Sequence, residues 1–397
     1  MDDSKKTPIY FDTLNHCTKC LLPETHESLS YDDSGVCSVC HNIDYKHDVV
    51  DWFIREQELI EILDEYRDKG DYDCIIPGSG GKDSTFQVYT LVKKYKMKPL
   101  VVTFDHGFMR PTVRENWERA LRILGVDQIN FRPNWQIIKK TMLESLTRKG
   151  DFCWHCHSGI YAYPMQIAVK FQIPLIIWGE PTSEYTSYVS YDGSSTGKEV
   201  LDEKAFNRYI NLGITAEDMY EMLDGKVSLR DLSPFQYPKF KDLKALNYSS
   251  ICLGDYIPWD IHAQVELIKK ELGWREDLTE GVPEEFAYEK IECMMQGVRD
   301  YLKFIKRGYG RTSHLMNLEI RNNRISREEA IKIVEEYDGK RPASLDLFLK
   351  WLELTEEEFI NIAIRHCISP HIHDEERVSK GEPLWDQKMW DRMVGED

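Results

Sequence analysis

A glycine-rich stretch between a short apolar run and an amphipathic segment constrains the fold most strongly. Residues 74–76 predict a buried strand, residues 83–95 predict a helix, and residues 77–85 (PGSGGKDST) join the two. Glycines at such a turn let backbone N–H groups surround an anion, and the helix N-terminus adds about half a positive charge. The sequence therefore predicts a phosphate-binding loop, and the alternative is a βα turn that binds nothing.

The same alternation of strand and helix continues beyond this loop. Strands are predicted at 99–104, 128–131 and 174–178, and helices at 113–124, 135–148 and 158–171. This rhythm predicts an α/β fold with a doubly wound parallel sheet, since parallel strands need helical crossovers on both faces.

The chemistry of the loop differs from that of a Walker A motif. Gly81-Lys82 is followed by Asp83, where a Walker A loop has Ser or Thr. Lys82 is predicted to stabilise charge on phosphates. Asp83 is predicted to be a Mg²⁺ ligand or a helix cap, because a carboxylate beside phosphate needs a cation.

Two Cys-x-x-Cys pairs lie near the N-terminus, and 16 residues separate them. Pairs with this spacing are typical of a structural zinc site whose four thiolates complete a tetrahedron. The predicted zinc ligands are Cys17, Cys20, Cys37 and Cys40, and the alternative is four free thiols.

A further pair, Cys153 and Cys156, lies within the segment of alternating strands and helices. Three interpretations remain open for it: a second metal site, an iron–sulfur cluster of the [4Fe-4S] type, or a redox-silent pair. A metal or cluster needs a further ligand, for which Cys293 on a predicted helix at 284–306 is the first candidate.

Composition shifts predict three segments: a four-cysteine zinc-binding module at 1–48, an α/β domain with the phosphate-binding loop at 49–200 and a mainly helical region at 201–397. Strand signals thin out beyond residue 200. Further helices are predicted at 215–224, 261–272, 327–337, 343–352 and 356–366. A capping box at Ser326 begins the helix 327–337, and another at Thr355 begins the helix 356–366.

The formal net charge of −17 disfavours a nucleic-acid partner, because phosphate backbones attract basic surfaces, although a local basic patch is compatible with it. No apolar run approaches the roughly 20 residues of a membrane span. The N-terminus also lacks the apolar stretch of a signal peptide. We therefore expect a cytoplasmic protein that does not contact a membrane.

The segment 79–84 (SGGKDS) resembles the signature of the PP-loop ATP pyrophosphatases. The resemblance implies cleavage of ATP to AMP and pyrophosphate through an adenylated intermediate. It also implies adenine and ribose contacts after the second strand. In parallel sheets of this kind ligands bind at the carboxyl ends of the strands, so a further contact is expected after the fourth strand. The predicted ATP-binding residues are Gly78, Ser79, Gly80, Gly81, Lys82, Asp83, Ser84, Thr103, Phe104, Asp105, Gly179 and Glu180. Loop polarity is the alternative for Asp105 and Glu180.

A longer resemblance covers residues 10–345. Besides the cysteine pairs and the loop, it rests on TFDHG (103–107), CWHCH (153–157), IWGE (177–180), GVRDYLKF (297–304), KRGYGR (306–311), IRNNR (320–324) and YDGKRP (337–342). These segments resemble the N-acetyl sugar amidotransferase family. That family implies conversion of an acetamido group on a bacterial surface sugar to an acetamidino group. It also implies glutaminase and cyclase-like partners that release and conduct ammonia.

A run of cations within this acidic chain is the candidate for substrate binding. Arg299, Lys303, Arg307 and Arg311 are predicted to meet the phosphates of a nucleotide-linked sugar. The alternative is a solvated helix face.

Two other functions fit parts of the sequence. A PP-loop tRNA-thiolating enzyme would combine the loop with zinc and an iron–sulfur site. A non-catalytic subunit would bind ATP as a structural ligand.

Overall fold

The computed structural model describes residues 9–27, 29–181 and 213–380. Contacts divide them into two compact units. One comprises residues 48–181 and 213–276, and the other comprises residues 9–27, 29–47 and 277–380. The boundary predicted at residue 200 lies outside the described residues. The first unit runs further along the chain than the predicted domain 49–200, because a fifth strand joins its sheet.

The first unit is built on one parallel sheet. Its strands are β1 (Cys74–Pro77), β2 (Pro99–Phe104), β3 (Asp127–Phe131), β4 (Leu175–Trp178) and β5 (Ser249–Cys252), in the order β3-β2-β1-β4-β5. All four neighbouring pairs are parallel. The predicted fold class is confirmed.

The strand order reverses between β1 and β4. The chain moves outward from β1 through β2 to β3, and β4 then pairs with the other edge of β1. In open α/β sheets the crevice beyond the strand ends at such a switch point is where ligands bind. The loop after β1 and residues 179–180 after β4 both lie at this edge.

Strand β5 was not predicted. Its residues Ser249, Ser250, Ile251 and Cys252 are all buried, so the segment shows neither alternation nor a long apolar run. Ser250 is accommodated because its Oγ accepts a hydrogen bond from Trp178 Nε1 at 2.9 Å. Only pairing with β4 identifies the segment as a strand.

The helices of the first unit cover both faces of the sheet region. They are Trp52–Tyr66, Lys82–Tyr89 with a π-helical turn at Thr90–Lys94, Pro111–Leu124, Trp135–Lys149, Trp154–Phe171, Ala216–Met222, Phe240–Leu246 and Ile261–Leu272. Helix Trp154–Phe171 begins four residues earlier than the prediction of 158. The helix Pro111–Leu124 starts on a proline and ends at Gly125 in the left-handed conformation, as capping rules favour.

The second unit is mainly helical. Its helices are Ser38–Asp48, Gln296–Arg307, Arg311–Arg321, Arg327–Tyr337, Ser344–Leu352 and Glu356–Ile364. The capping boxes predicted at Ser326 and Thr355 are both present. Two short strands, Lys340–Arg341 and Ser379–Lys380, pair in parallel.

The helix predicted at 284–306 is wrong in its first half. A 3-10 turn at Glu284–Phe286 is followed by turns, and the helix begins only at Gln296. Lys290 has a φ of +49°, which interrupts any right-handed helix. Cys293 therefore lies before the helix and not on it.

Within the described residues, none of the helices is both long and apolar enough to span a bilayer.

Candidate active site and metal centre

The glycine-rich loop joins β1 to helix Lys82–Tyr89, and two of its N–H groups converge on one oxygen atom. The N–H groups of Ser79 and Gly80 donate to Ser84 Oγ at 3.2 and 3.1 Å. Ser84 lies in the first turn of this helix, whose N-cap is Gly81. Ser84 Oγ thus takes up both donors beside a helix N-terminus, where an anion such as phosphate would replace it. Phosphate binding by the loop stays a prediction.

Two tryptophans that the sequence analysis did not single out hold this loop in place. A Cβ added at Gly78 would lie 2.4 Å from the Trp117 ring, and one at Gly80 would lie 2.7 Å from Trp117 Cβ. Gly80 also has a φ of +82°. On the same loop, Trp274 Nε1 donates to the Gly80 carbonyl at 3.2 Å. Packing against Trp117 therefore requires both glycines, independently of any anion.

Lys82 and Asp83 form a buried ion pair at the start of the helix. Lys82 is 1% exposed and Asp83 6%, and Lys82 Nζ donates to Asp83 Oδ2 at 2.8 Å. The carboxylate is a hard oxygen donor of the kind that Mg²⁺ prefers, so its chemistry fits that ion. The roles of Lys82 on phosphate and of Asp83 on Mg²⁺ stay predictions.

Asp105 follows β2 and is fully buried. Its carboxylate accepts from the Gly107 N–H and from Arg132 Nε, both at 2.9 Å, and Arg114 lies at 3.4 Å. Burial alone would raise the pKa of Asp105. The Arg132 and Gly107 hydrogen bonds outweigh that effect and hold the pKa below its ordinary value. The loop after β2 is therefore anchored by a carboxylate that stays ionised at neutral pH.

Thr103 and Phe104, at the end of β2, are committed to packing. Thr103 Oγ1 accepts hydrogen bonds from Trp117 Nε1 at 3.0 Å and from Gln128 Nε2 at 2.9 Å. The ring of Phe104 packs so tightly that a Cβ at Gly159 would lie 2.1 Å from it. Nucleotide binding by these two residues stays a prediction, and their observed role is to fix the edge of the sheet.

Gly179 and Glu180 follow β4, and Gln87 ties that strand to the helix after the loop. Gln87 Nε2 donates to the Ile177 carbonyl at 2.6 Å. A Cβ at Gly179 would lie 3.2 Å from Gln87 Oε1. The ends of β1 and β4 are thus held side by side, although contact of Gly179 and Glu180 with ATP is untested.

The four N-terminal cysteines form a closed cluster. Cys17, Cys20, Cys37 and Cys40 are each 0% exposed, and their sulfurs all lie within 4.8 Å of one another. The Cys17–Cys40 and Cys20–Cys37 sulfur distances are 3.9 and 3.8 Å. A tetrahedron with Zn–S bonds of about 2.3 Å has edges of about 3.8 Å. The geometry therefore fits a four-thiolate metal site, and the donor set fits Zn²⁺.

Backbone and side-chain donors from outside the cluster support it. The N–H of Cys37 donates to Cys17 Sγ at 3.2 Å. Arg321 Nη2 donates to Cys20 Sγ at 3.5 Å, and Arg327 Nε donates to the Cys20 carbonyl at 3.1 Å. Four thiolates around a divalent ion carry two excess negative charges, which Arg321 partly balances. Neither arginine was predicted to serve the metal.

The second cysteine pair lies at the start of helix Trp154–Phe171. Cys153 is its N-cap residue and is 8% exposed, whereas Cys156 is partly exposed. Within the described chain, the one group of three or more metal-ligating side chains close enough to hold an ion is the four-cysteine cluster. The second metal or iron–sulfur site at Cys153, Cys156 and Cys293 stays a prediction.

Comparison with known families identifies the C-terminal region. Residues 280–388 match the family described as LPS biosynthesis protein WbpG-like, C-terminal domain. This region is similar to that domain, and it is called the WbpG-like domain. In the first unit, the parallel sheet confirms the doubly wound fold that the PP-loop resemblance implies.

Similar proteins overlap only parts of the chain. The uncharacterized protein MJ1599 of Methanocaldococcus jannaschii is 29% identical over 166 residues, which are 41% of this chain and 58% of that protein. The chain thus spans less than two thirds of that relative.

Two solved structures share low similarity with the chain. One is a predicted subunit of tRNA methyltransferase from Methanocaldococcus jannaschii, at 15% identity and a TM-score of 0.22, covering 55% of this chain and 93% of that one. The other is the U34-tRNA thiolase NcsA from Methanococcus maripaludis with its [4Fe-4S] cluster, at 16% identity and a TM-score of 0.26, covering 66% and 89%. Likenesses this weak do not bear on function.

The predicted substrate residues all lie in the WbpG-like domain. Arg299, Lys303 and Arg307 are partly exposed on helix Gln296–Arg307. Arg311 is 9% exposed and pairs with Asp300 at 3.0 Å and with Glu289 at 3.4 Å. The four cations therefore differ in exposure, since Arg311 is buried and paired with carboxylates inside the WbpG-like domain, whereas the other three reach solvent. Substrate binding by the four remains a prediction.

Asp338 is a residue of the same domain that the sequence analysis missed. It accepts hydrogen bonds from the N–H groups of Gly310 at 2.8 Å, Thr312 at 3.0 Å and Ser313 at 3.3 Å. It therefore caps helix Arg311–Arg321 from a distant position in the chain. A Cβ at Gly310 would lie 2.5 Å from its carboxylate. No local sequence signal marks this cap.

Proposed function

We propose that the protein is an ATP-dependent, AMP-forming amidotransferase that converts an acetamido group of a bacterial surface-polysaccharide sugar into an acetamidino group. One observation carries the proposal: a glycine-rich loop at the switch point of the sheet, beside a helix N-terminus, occurs in the same chain as a WbpG-like domain. The loop supports ATP chemistry, and the family of that domain supports a role in lipopolysaccharide synthesis.

The first step would activate a poor electrophile. The acetamido carbonyl oxygen attacks the α-phosphorus of ATP, the bond to the bridging oxygen breaks, and pyrophosphate leaves with that electron pair. The product is an O-adenylyl imidate, and the amide proton passes to solvent. The N–H groups of Ser79 and Gly80 donate to Ser84 Oγ in the structure, and they would turn to the phosphates when ATP binds. Together with Lys82, they would stabilise the charge that builds there.

The second step would use the adenylate as a leaving group. Ammonia attacks the imidate carbon, and AMP departs with the former carbonyl oxygen. The proton lost from nitrogen leaves an acetamidino group. The chain's own residues need only bind, orient and exclude water. Mg²⁺, when bound, would neutralise phosphate charge, and Asp83 would hold it.

Substrate and partners are what the resemblance to the N-acetyl sugar amidotransferase family implies. We propose a nucleotide-linked acetamido sugar or an acidic nonulosonate sugar as substrate. Glutaminase and cyclase-like subunits would supply the ammonia, and the location would be the cytoplasm. Zn²⁺ in the four-cysteine site would be structural.

The test is mass spectrometry of a panel of diacetamido sugars after incubation with the protein, Mg²⁺-ATP and a high concentration of ammonium salt under anaerobic conditions. One sugar should lose the mass difference between O and NH, and AMP and pyrophosphate should form in equal amounts. Lys82→Ala should abolish both signals. Lys93→Ala, which removes an exposed charge from the same helical segment, should leave them intact.

If neither the sugars nor ATP change under these conditions, the proposal is wrong and the structural-ligand alternative stands. If AMP forms only with tRNA and a sulfur donor, the protein is a thiolating enzyme. The cysteine pair at the start of helix Trp154–Phe171 is the observation that keeps this second candidate open.

A further inference from the structure

One peptide of the glycine-rich loop is anchored by a residue from far along the chain. Trp274 is 3% exposed, and its Nε1 donates to the Gly80 carbonyl at 3.2 Å. Gly81 follows Gly80, so this carbonyl belongs to a peptide with a glycine on either side. Glycine adopts both signs of φ at little steric cost, so side chains offer such a peptide almost no resistance to rotation. The hydrogen bond from Trp274 therefore supplies a directional restraint that neither glycine provides.

The orientation of this carbonyl also fixes the direction of the next N–H group. In a trans peptide, the C=O of one residue and the N–H of the following residue lie in one plane and point to opposite sides. The Gly80–Gly81 peptide is trans, since the one cis peptide within the described residues precedes Pro370. Because the Gly80 carbonyl points to Trp274, the Gly81 N–H points away from it, toward Ser79 Oγ at 3.5 Å.

Three consecutive N–H groups thus face the same pair of hydroxyls. Those of Ser79 and Gly80 donate to Ser84 Oγ, that of Gly81 faces Ser79 Oγ, and the two hydroxyl oxygens lie 3.3 Å apart. Successive backbone N–H groups in such an arrangement form a concavity suited to an anion. The contact of the Gly81 N–H is the longest of the three and therefore the weakest. This donor gives up least when a phosphate oxygen replaces the hydroxyl.

Trp274 is itself held by a buried amide on the helix that follows β2. Asn116, on this helix, is 1% exposed. Its Oδ1 accepts from the Arg275 N–H at 3.0 Å, and its Nδ2 donates to the Arg275 carbonyl at 2.7 Å. Arg119 of the same helix donates through Nη1 to the Gly273 carbonyl at 2.6 Å. The main chain on both sides of Trp274 is therefore tied to one helix, which sets where the indole N–H can point.

The same helix also packs directly against the loop. A Cβ added at Gly80 would lie 3.1 Å from Val113 Cγ1 and 2.7 Å from Trp117 Cβ. One helix therefore supports the loop twice, directly through these side chains and indirectly through Asn116 and Trp274.

We propose that Trp274 is a positioning residue for phosphate, because it turns the Gly81 N–H into the loop as a third donor beside those of Ser79 and Gly80. Asn116 acts on the same donor through Trp274, and neither side chain needs to touch the ligand. The ligand class is a polyphosphate with Mg²⁺, such as ATP or pyrophosphate. The inference rests on the phosphate-binding loop of the proposed function and does not depend on the sugar.

The test is isothermal titration calorimetry of the full chain with Mg²⁺ against three probes: ATP, pyrophosphate and adenosine. Trp274→Phe keeps an aromatic ring and removes the donor. It should weaken ATP and pyrophosphate by a similar factor, about fivefold, as expected for the loss of one hydrogen bond. Adenosine has no phosphate, so its affinity should stay unchanged. Asn116→Ala should give the same pattern in milder form, because Trp274 keeps its donor and loses only its support.

Gln166→Ala is the matched control. Gln166 Nε2 donates to the carbonyls of Ser233 and Gln236 at 2.8 and 2.6 Å, so this variant also removes an amide that ties a helix to distant main chain in the same unit. Its affinity for all three probes should equal that of the wild type. The inference is overturned if Trp274→Phe binds pyrophosphate as tightly as Gln166→Ala does. It is also overturned if adenosine weakens by the same factor as pyrophosphate, because a general loss of structure would then explain both.

The outcomes separate this inference from the proposed function. If pyrophosphate and ATP respond to Trp274→Phe while no sugar is converted, the proposed function is wrong and the positioning role stands. If sugar is converted and Trp274→Phe binds both phosphates like the wild type, only the positioning role is wrong. If the wild-type chain binds neither ATP nor pyrophosphate, both are wrong.

Discussion

The loop after β1 provides the sharpest test of the structure, through the substitution Gly80→Ala. Gly80 has a φ of +82°, and an added Cβ would lie 2.7 Å from Trp117 Cβ and 3.1 Å from Val113 Cγ1. Two separate costs therefore arise, one from the left-handed backbone and one from displacement of the packed residues beneath the loop.

Gly125 isolates the first of these costs. It has a φ of +67° in the same unit, and an added Cβ there would meet nothing within 4 Å. Gly125→Ala should lower the free energy of unfolding by about 1 kcal/mol. Strain in the left-handed backbone destabilises the folded state, and the smaller conformational freedom of the unfolded chain offsets part of that cost. Gly80→Ala should add about 1–3 kcal/mol for overpacking, a total of about 2–4 kcal/mol.

The assay is urea unfolding followed by circular dichroism, with AMP formation measured on the same samples. Gly80→Ala should lose AMP formation because the N–H groups of Ser79 and Gly80 no longer converge, whereas Gly125→Ala should keep it. Equal destabilisation by the two substitutions would show that the loop does not press on Trp117, and the account of the loop given above would then be wrong.

Three further predictions concern charge, metal and capping. Arg132→Gln should lower the free energy of unfolding by about 1–2 kcal/mol at pH 7, because it removes an ion-pair partner of buried Asp105. The loss stays this small because Arg132 is 42% exposed, so solvent screens the pair. The pKa of Asp105 is lowered on folding, so this stabilisation is present above its ordinary value of 3.8 and is lost as pH falls through the folded pKa. The difference in the free energy of unfolding between the wild type and Arg132→Gln should therefore vanish in acid. A difference that does not depend on pH would contradict the ion-pair assignment. Cys37→Ser should abolish the bound zinc measured by elemental analysis and expose the N-terminal segment to proteases, whereas Cys367→Ser should retain the metal. Thr355→Ala should cost about 1 kcal/mol in the same urea assay, since it removes the capping box of helix Glu356–Ile364, and an unchanged midpoint would show that the cap contributes nothing.

Features with a local physical cause were predictable from the sequence. Strand β2 and helix Ile261–Leu272 were predicted at their observed bounds, because apolar spacing and capping residues act within a few positions. The four-cysteine cluster was predictable for a similar reason, since each Cys-x-x-Cys pair sets the spacing of its two thiols locally.

Features that depend on partners distant in the chain were missed. Strand β5 exists because β4 pairs with it, and helix Arg311–Arg321 begins where Asp338 caps it. The start of helix Gln296–Arg307 was placed too early, because Lys290 adopts a positive φ that the sequence pattern does not reveal.

By itself, the sequence determined the fold class, the position of the glycine-rich loop and the thiol tetrahedron, because each arises from spacing along the chain. Only the tertiary structure decided which residues support them. Trp117 and Trp274 fix the loop, and Arg132 keeps Asp105 ionised. Such contacts join residues far apart in sequence, so their energies depend on packing that no local pattern records.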